Sequence, residues 1–349
     1  MRVVLVDWLG RGGIAQTSEA WVMELGAAGA EVTVVTRPGR ELAATGAAAR
    51  VVTSHEGGGR IRSHMRVVAV AAETIREVQP NVVIVQNYVL PPLERPVYRA
   101  AAGVGARVIS VVHDHRLHSL LAGNRAGLRS SLRQATAVVA HTRFVADAVA
   151  AFTGRHDLVV VPHPVQVGMI DQPSSTTLLS NPKDGLLALH FGVLKRGYKG
   201  TEMIERLATN GVPGWSFAVL GAGAPPARPG LQSVPGFVDA GDLIAVVRSS
   251  QATLLPYRMA SQSGAVVLGQ VLGSVPVASA VGGIPEQIEH GRTGLLLPPD
   301  ARETAWQDAL SSLSDDGVRA PMVEAARETA WKNHHEFVAA IKGLVCGDA

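Results

Sequence analysis

Along the first third of the chain, short apolar runs alternate with stretches in which apolar residues recur every three or four positions. Residues 3–6 form a continuous, mostly β-branched run, the pattern of a parallel strand covered on both faces. A glycine turn, Gly10-Arg11-Gly12-Gly13, follows it. Ile14, Thr17, Ser18, Trp21, Val22 and Leu25 then repeat at helical spacing until Gly26 and Gly29. Further strands are expected at residues 32–36, 67–70, 82–86, 108–112, 137–140 and 158–162. Alternation of strands and helices through short glycine turns predicts a doubly wound α/β sheet.

Periodicity fails between about residues 163 and 184, where Pro164, Pro173, Ser174, Ser175, Asn181 and Pro182 fit an interdomain linker. A second alternating series then places strands at 186–191, 216–220, 233–234, 252–255, 275–278 and 294–297, with helices between them, for example over 201–207 and 242–249. The expectation is therefore two Rossmann-like domains, residues 1–164 and 165–325. The closing stretch 326–349 returns to the first domain, because its stripe of Trp331, Phe337, Ile341 and Leu344 would otherwise face water.

Bulk properties narrow the class. At 349 residues, 47% hydrophobic and 17% charged, the chain can bury two ordinary cores. A balance of 32 basic to 29 acidic side chains gives no reason to expect nucleic acid as a partner. Cys346 is the single cysteine, so neither an intramolecular disulfide nor a cysteine-rich metal site is available, which fits a reducing cytoplasm. The first apolar run is too short for a signal peptide. No charge occurs between Arg258 and Glu286, a bilayer-spanning length. Five glycines, Pro276 and Pro285 make it instead a buried helix followed by a buried strand, and a soluble cytoplasmic protein is expected.

Ligands of such sheets sit beyond the carboxyl ends of the strands, and two halves of this kind are expected to bind them in the cleft that separates them. In the second half, Phe191-Gly192-Val193-Leu194-Lys195-Arg196-Gly197-Tyr198-Lys199-Gly200 follows a strand and opens a helix. Its three cations lie where a diphosphate would meet both charge and helix amides. Ser261-Gln262-Ser263-Gly264 introduces the next helix in the same half and makes a second anion cradle. A solvated loop and an ordinary helix cap are the plainer readings of each alone; the two together favour an anion site.

These segments, with Leu220-Gly221-Ala222-Gly223, Pro235-Gly236-Phe237-Val238, Leu254-Leu255-Pro256-Tyr257, the stretch from Val275 to Glu286, and Gly291-Arg292-Thr293-Gly294, resemble family 4 retaining glycosyltransferases of the GT-B fold. The resemblance runs over nearly the whole second half. It implies that Arg196 and Lys199 grip the diphosphate of a UDP- or GDP-linked sugar. The backbone of Phe237 and Val238 would pair with the base, and Ser263, Gly264 and Ala265 would offer amides to the distal phosphate. Ser261, Gln262 and Gly221 fall in the same donor site. Gly12 and Gly13 match the glycine turn that passes the donor phosphate, and His113 matches a histidine beside the transferred sugar. The family's two glutamates, eight positions apart, fall here on Ser261 and Gly269, and the arginine usual after Gly192 is Val193. The chain resembles a branch with Ser-Gln-Ser-Gly at the first glutamate.

Retaining transfer of the kind implied needs no protein nucleophile, only stabilised charge on the leaving diphosphate and a placed acceptor. No Asp-x-Asp triplet is present, so no metal and no cofactor beyond the nucleotide sugar is expected. On the acceptor side, residues 113–133 hold His113, His115, Arg116, His118, Arg125, Arg129 and Arg133 against one acid, Asp114. A solvated helix face explains such a run; the sharper reading is a small-molecule acceptor bearing phosphate or carboxylate, or an anionic membrane surface nearby. Trp8, Asp114 and Arg116 are the candidate acceptor contacts, Trp8 being equally a core residue. The Ala-, Gly- and Val-rich composition points towards specialised metabolites such as antibiotics, small thiols or envelope glycosides. Two rivals stand. A nicotinamide-dependent oxidoreductase would need the last glycine of a Gly-x-Gly-x-x-Gly turn, which is missing here, and an acid after strand two, where Thr36-Arg37 stands. A nucleotide-sugar-binding protein without turnover would fit the missing glutamates.

Overall fold

Both sheets are parallel throughout, and each reverses its direction of growth once. The computed structural model describes residues 1–38, 49–54, 59–114, 124–171, 177–179, 185–194 and 197–347. The first sheet is built from β1 (Arg2–Asp7), α1 (Gly12–Ala27), β2 (Glu31–Thr36), β3 (Ala49–Thr53), α2 (Arg60–Val78), β4 (Val82–Gln86), α3 (Pro91–Gly103), β5 (Arg107–Val112), α4 (Asn124–Gln134), β6 (Ala137–Ala140), α5 (Arg143–Thr153) and β7 (Leu158–Val160), with a single-turn α6 (Val167–Ile170) after it. Its strand order is β3-β2-β1-β4-β5-β6-β7, every pair parallel. The second is built from β8 (Leu186–Phe191), α7 (Thr201–Asn210), β9 (Trp215–Gly221), β10 (Leu231–Pro235), α8 (Ala240–Ser249), β11 (Ala252–Leu255), α9 (Gly264–Leu272), β12 (Val275–Ser279) and β13 (Leu295–Leu297), followed by α10 (Glu303–Leu313) and α11 (Asp316–Cys346). Its order is β10-β9-β8-β11-β12-β13, again all parallel. The switch points, where a bound nucleotide is favoured, are therefore β1/β4 and β8/β11.

The chain divides into two compact units, one of Met1–Gly168 with His335–Ala349 and one of Met169–His334. In the first, strand alternation feeds two cores. Val4 and Val6 meet Val67, Ala71 and Ile75 of α2 on one face. Val3 and Leu5 meet Trp21 and Leu25 of α1 on the other, together with Phe337, Ile341, Leu344 and Val345 of α11. Trp21 and Phe337 pack edge to face, centroids 5.7 Å apart. In the second unit, Phe217, Val219, Leu254 and Val277 pack beneath Ile204, Leu207, Trp306 and Leu310.

Three expectations are corrected. Residues 67–70 lie inside α2 and form no strand: His64, Val67, Val68, Ala71, Ala72 and Ile75 are buried at helical spacing, and this longer period overrides four consecutive apolar residues. The edge position is taken by β3, whose half-exposed residues carry little apolar pattern. The closing helix begins at Asp316, ten residues before the expected stretch, and its residues as far as His334 go with the second unit. There Arg327 donates from Nε to the Val271 carbonyl at 3.3 Å. The charge-free stretch after Arg258 resolves into α9 and β12, and among the described residues no helix is long and apolar enough to cross a membrane.

Candidate functional site

In the second unit, glycines decide how the loop after β8 runs. Gly221, at φ +125°, would drive a Cβ to 2.0 Å from the Gly192 carbonyl, and Gly223, at φ +92°, would meet the Leu194 carbonyl at 2.4 Å. Gly200, at φ +66°, would meet the Pro256 carbonyl at 1.8 Å. Only glycine lets these backbones approach so closely. Leu194 N donates to Ala222 O at 2.8 Å, and Arg258 N to Tyr198 O at 3.0 Å. The loop is thus clamped between the ends of β9 and β11. Packing by itself accounts for Gly221, the glycine expected in the donor site.

That clamp sets Lys199 at the β8/β11 switch point, with Nζ 3.6 Å from the centroid of the buried Tyr257 ring. The Tyr257 hydroxyl lies 3.5 Å from Ser263 Oγ. Ser263 precedes α9 without capping it through its side chain. It is held from behind instead: its N–H donates to Gln287 Oε1 at 2.8 Å, and Gln287 Nε2 donates back to its carbonyl at 3.2 Å. The expected Ser263 amide is corrected, since Gln287 already takes it; the start of α9 at Gly264 and Ala265 keeps its amides for an anion, one tyrosine away from a lysine. Ser261 and Ser263 are buried and Gln262 half-buried in the same turn. Arg196 and its neighbour Lys195 lie outside the described residues. Phe237 is 62% exposed and Val238 half-buried, just past β10. At Gly269, a Cβ would lie 3.0 Å from both the Ser274 carbonyl and Thr253 Oγ1, so a carboxylate side chain there would need those groups to move.

Beneath the loop, His190 ties three elements. Its Nδ1–H donates to Leu254 O at 2.8 Å, and Thr201 donates its hydroxyl to Nε2 at 3.1 Å. Burial pushes this imidazole down to about 4, in keeping with the neutral form that both bonds require.

In the first unit, the carboxyl edge of the sheet carries a row of histidines. His113 follows β5, His141 follows β6, and His163 lies beyond β7; ring centroids are 5.2 Å and 5.4 Å apart along the row. Gln86, at the end of β4, accepts from His113 Nε2 at 2.8 Å. His141 donates from Nδ1 to Val161 O at 3.0 Å, and His163 from Nδ1 to Pro164 O at 3.1 Å. Burial first, then the neighbouring histidines, hold His113 well below its usual range. Burial likewise lowers His141 to about 3 and His163 to about 4, so the row is uncharged. Gly12 and Gly13 open α1, with nothing within 4 Å of where either Cβ would sit, so a ligand can approach their backbone closely. Asp7 shapes the turn before them, accepting from Leu9 N at 2.8 Å, Gly10 N at 3.0 Å and Ser18 Oγ at 2.9 Å.

Trp8 is corrected as a stacking surface for sugar. It is 1% exposed in the core, donates its indole N–H to Asn87 O at 3.1 Å, and packs its ring on His64. Asp114 is half-buried beside His113, and Arg116 lies outside the described residues.

Comparison with known proteins follows the same division. Residues 11–168 match the family described as Glycosyltransferase Family 4, and residues 190–316 match Glycosyl transferases group 1. The Anabaena protein HepE, solved with UDP-glucose, superposes with a TM-score of 0.76 over 100% of this chain and 99% of its own, at 16% identity. The chain has the GT-B fold, and each of its halves matches a glycosyltransferase family. A Rickettsia africae glycosyltransferase shares the fold at a TM-score of 0.75 and 16% identity, over 99% of this chain and 97% of its own. A D-inositol 3-phosphate glycosyltransferase of Corynebacterium glutamicum is 35% identical over 95 residues, 26% of this chain and 22% of that one. Its counterpart in Pseudarthrobacter chlorophenolicus is 36% identical over 106 residues, 30% of this chain and 25% of that one. The matched segment spans no more than a quarter of either relative's length.

Several residues of this GT-B chain escaped the sequence reading. His141 and His163 carried the same signal as His113, a polar residue just beyond a buried strand. Arg37, half-buried after β2, donates to His64 Nδ1 at 3.3 Å, and His64 Nε2 lies 3.2 Å from the buried Glu94 carboxylate. No spacing in the sequence links those three.

Proposed function

We propose that the chain transfers a glycosyl group, with retention and without a metal, from a nucleotide diphosphate sugar to a small-molecule acceptor. The observation that carries this is Tyr257, which touches Lys199 through its ring and Ser263 through its hydroxyl. A cation and an uncapped helix start thereby share one switch point, the arrangement a diphosphate requires. Lys199 with Arg196 takes the diphosphate, and the amides of Gly264 and Ala265 take its distal phosphate. The backbone of Phe237 and Val238 holds the base. As the sugar leaves, these groups stabilise charge growing on the phosphate oxygen, which in turn accepts the acceptor's proton. In the first unit, His113, neutral and oriented by Gln86, is assigned to the transferred sugar, and the glycine turn at Gly12 and Gly13 to the passage of the donor phosphate. HepE's complex with UDP-glucose supports a UDP-linked donor. The inositol-phosphate relatives support an acceptor that carries an anionic group.

The test is a calorimetric panel of UDP, GDP, ADP and dTDP, followed by incubation with the matching sugar nucleotide and proton NMR of the product. One tight nucleotide is expected, and a donor with an axial sugar–phosphate bond should give a product whose glycosidic bond is again axial and whose anomeric proton is equatorial. An inverted product would remove the retaining assignment, and binding without even slow donor hydrolysis would favour the non-catalytic alternative.

A further inference from the structure

We infer that Arg37, with Arg11 beside it, forms the receptor for an oxyanion of the acceptor substrate, a phosphate or carboxylate, at the carboxyl edge of the first sheet. The inference rests on the transferase reading above and names the chemistry of its second substrate.

Arg37 leaves β2 immediately after the buried Thr36. The turn after β1 is pressed against it: a Cβ on Gly10 would come 2.6 Å from Arg37 O and 2.7 Å from Thr36 Oγ1. Arg11 follows Gly10, exposed at the turn, and its charge acts on the Arg37 guanidinium. Among the described residues no carboxylate forms an ion pair with either. Burial, and then the Arg11 charge, lower the Arg37 pKa, as expected of cations placed together without an anion.

The Arg37 side chain is also fixed in place. One terminal nitrogen donates to His64 Nδ1 at 3.3 Å, and His64 packs against Trp8 with centroids 5.3 Å apart. Behind His64 stands Glu94, whose Oε1 accepts from Val89 N at 2.8 Å and Leu90 N at 2.7 Å. Yet Arg37 Nε is buried with no hydrogen-bond partner. A permanently charged donor held rigidly, without an acceptor, is a fork prepared for an oxyanion. The donor diphosphate has cations of its own in the second unit. Arg37, moreover, stands just past β2, on the side of β1 away from the β1/β4 switch point. The Arg37 charge is therefore left to the other substrate.

The test titrates glucose 6-phosphate, glucuronate and glucose into protein presaturated with the nucleoside diphosphate it binds most tightly. Wild type, Arg37→Ala, Arg37→Lys and Arg11→Ala are compared. At least one charged probe should bind about tenfold or more tightly than glucose. Arg37→Ala should weaken it by about tenfold, with Arg37→Lys and Arg11→Ala intermediate. Nucleoside diphosphate affinity should stay within about twofold in every variant. Preference for glucose 6-phosphate identifies a phosphate and preference for glucuronate a carboxylate; either supports the inference. Unchanged probe affinity in Arg37→Ala, or no binding of a charged probe to wild type, overturns it. So does a parallel loss of nucleoside diphosphate affinity, which would give the pair to the donor. If Arg37→Ala melts before assay, Arg37→Lys and Arg11→Ala decide on the same readouts. Failure of wild type to bind any nucleoside diphosphate, read before a probe is added, would count against the transferase reading itself.

Discussion

Lys199 Nζ stands 3.6 Å above the centroid of the Tyr257 ring, and the same tyrosine reaches Ser263 with its hydroxyl at 3.5 Å. The lysine head is positioned by a ring face at the mouth of α9, and among the described residues no carboxylate pairs with it. Lys199→Ala should therefore weaken nucleoside diphosphate binding by about 1.5–3 kcal/mol, the worth of a charge-assisted contact. Tyr257→Leu should reproduce a smaller part of that loss, and Tyr257→Phe, which keeps the ring, almost none. Calorimetry with the preferred nucleotide checks all three. Full affinity in Lys199→Ala would move the donor site elsewhere.

The glycine clamp makes a second prediction. Gly200→Ala places a Cβ 1.8 Å from the Pro256 carbonyl at positive φ, so the loop or the end of β11 must shift. A stability loss of about 2 kcal/mol or more is expected, with weaker nucleotide binding from the displaced Lys199. Gly12→Ala has free space around it and should cost less, chiefly through its φ of +70°. Thermal melts of the two variants, side by side, check the order.

His113 should separate rate from binding. Because the diphosphate is assigned to residues of the second unit, His113→Ala should leave nucleotide affinity intact and lower turnover by roughly two orders of magnitude. Gln86→Glu puts a carboxylate where an amide oxygen now sits, 2.8 Å from His113 Nε2. It should raise the imidazole pKa and add an acidic limb to the pH–rate profile that wild type lacks over the same range. A collapse in melting temperature for His113→Ala would return this residue to the core.

His190 links pH to stability. Its folded value is lowered to about 4, whereas an unfolded chain would hold it near 6.5. On acidification the unfolded chain therefore takes up the proton first. Stability is full above about pH 6.5 and declines towards pH 4, by a total on the order of 3 kcal/mol. Urea unfolding at about pH 7.5 and about pH 5 should show a smaller drop for His190→Gln than for wild type.

Turnover is expected to survive excess EDTA, because helix amides and cations supply what a metal supplies at an Asp-x-Asp site. Loss of activity restored by magnesium or manganese would sink this expectation.

Much of this could be read from the sequence where burial and local chemistry coincide. The strands 3–6, 82–86 and 252–255 are buried on both faces, and glycines at 200, 221 and 223 mark turns that the structure needs for close contact. Residues 67–70 were ambiguous because four β-branched or small residues fit either period until the flanking turns are counted. β3 was silent because an edge strand with no buried position leaves little pattern. The Arg37, His64 and Glu94 chain was invisible for another reason. Its members come from after β2, from α2 and from α3, and only the fold brings them together.

One consequence of α11 concerns the order of events during synthesis. Phe337, Ile341, Leu344 and Val345 complete the core that begins with Val3, Leu5 and Trp21, so this face of the first sheet lacks its cover until the last turns of that helix have left the ribosome. The second unit has all its strands by Leu297 and can assemble earlier. The half translated first is the half that finishes last. In the meantime the edge of the Trp21 indole is open to chaperones, and to proteases if they arrive sooner.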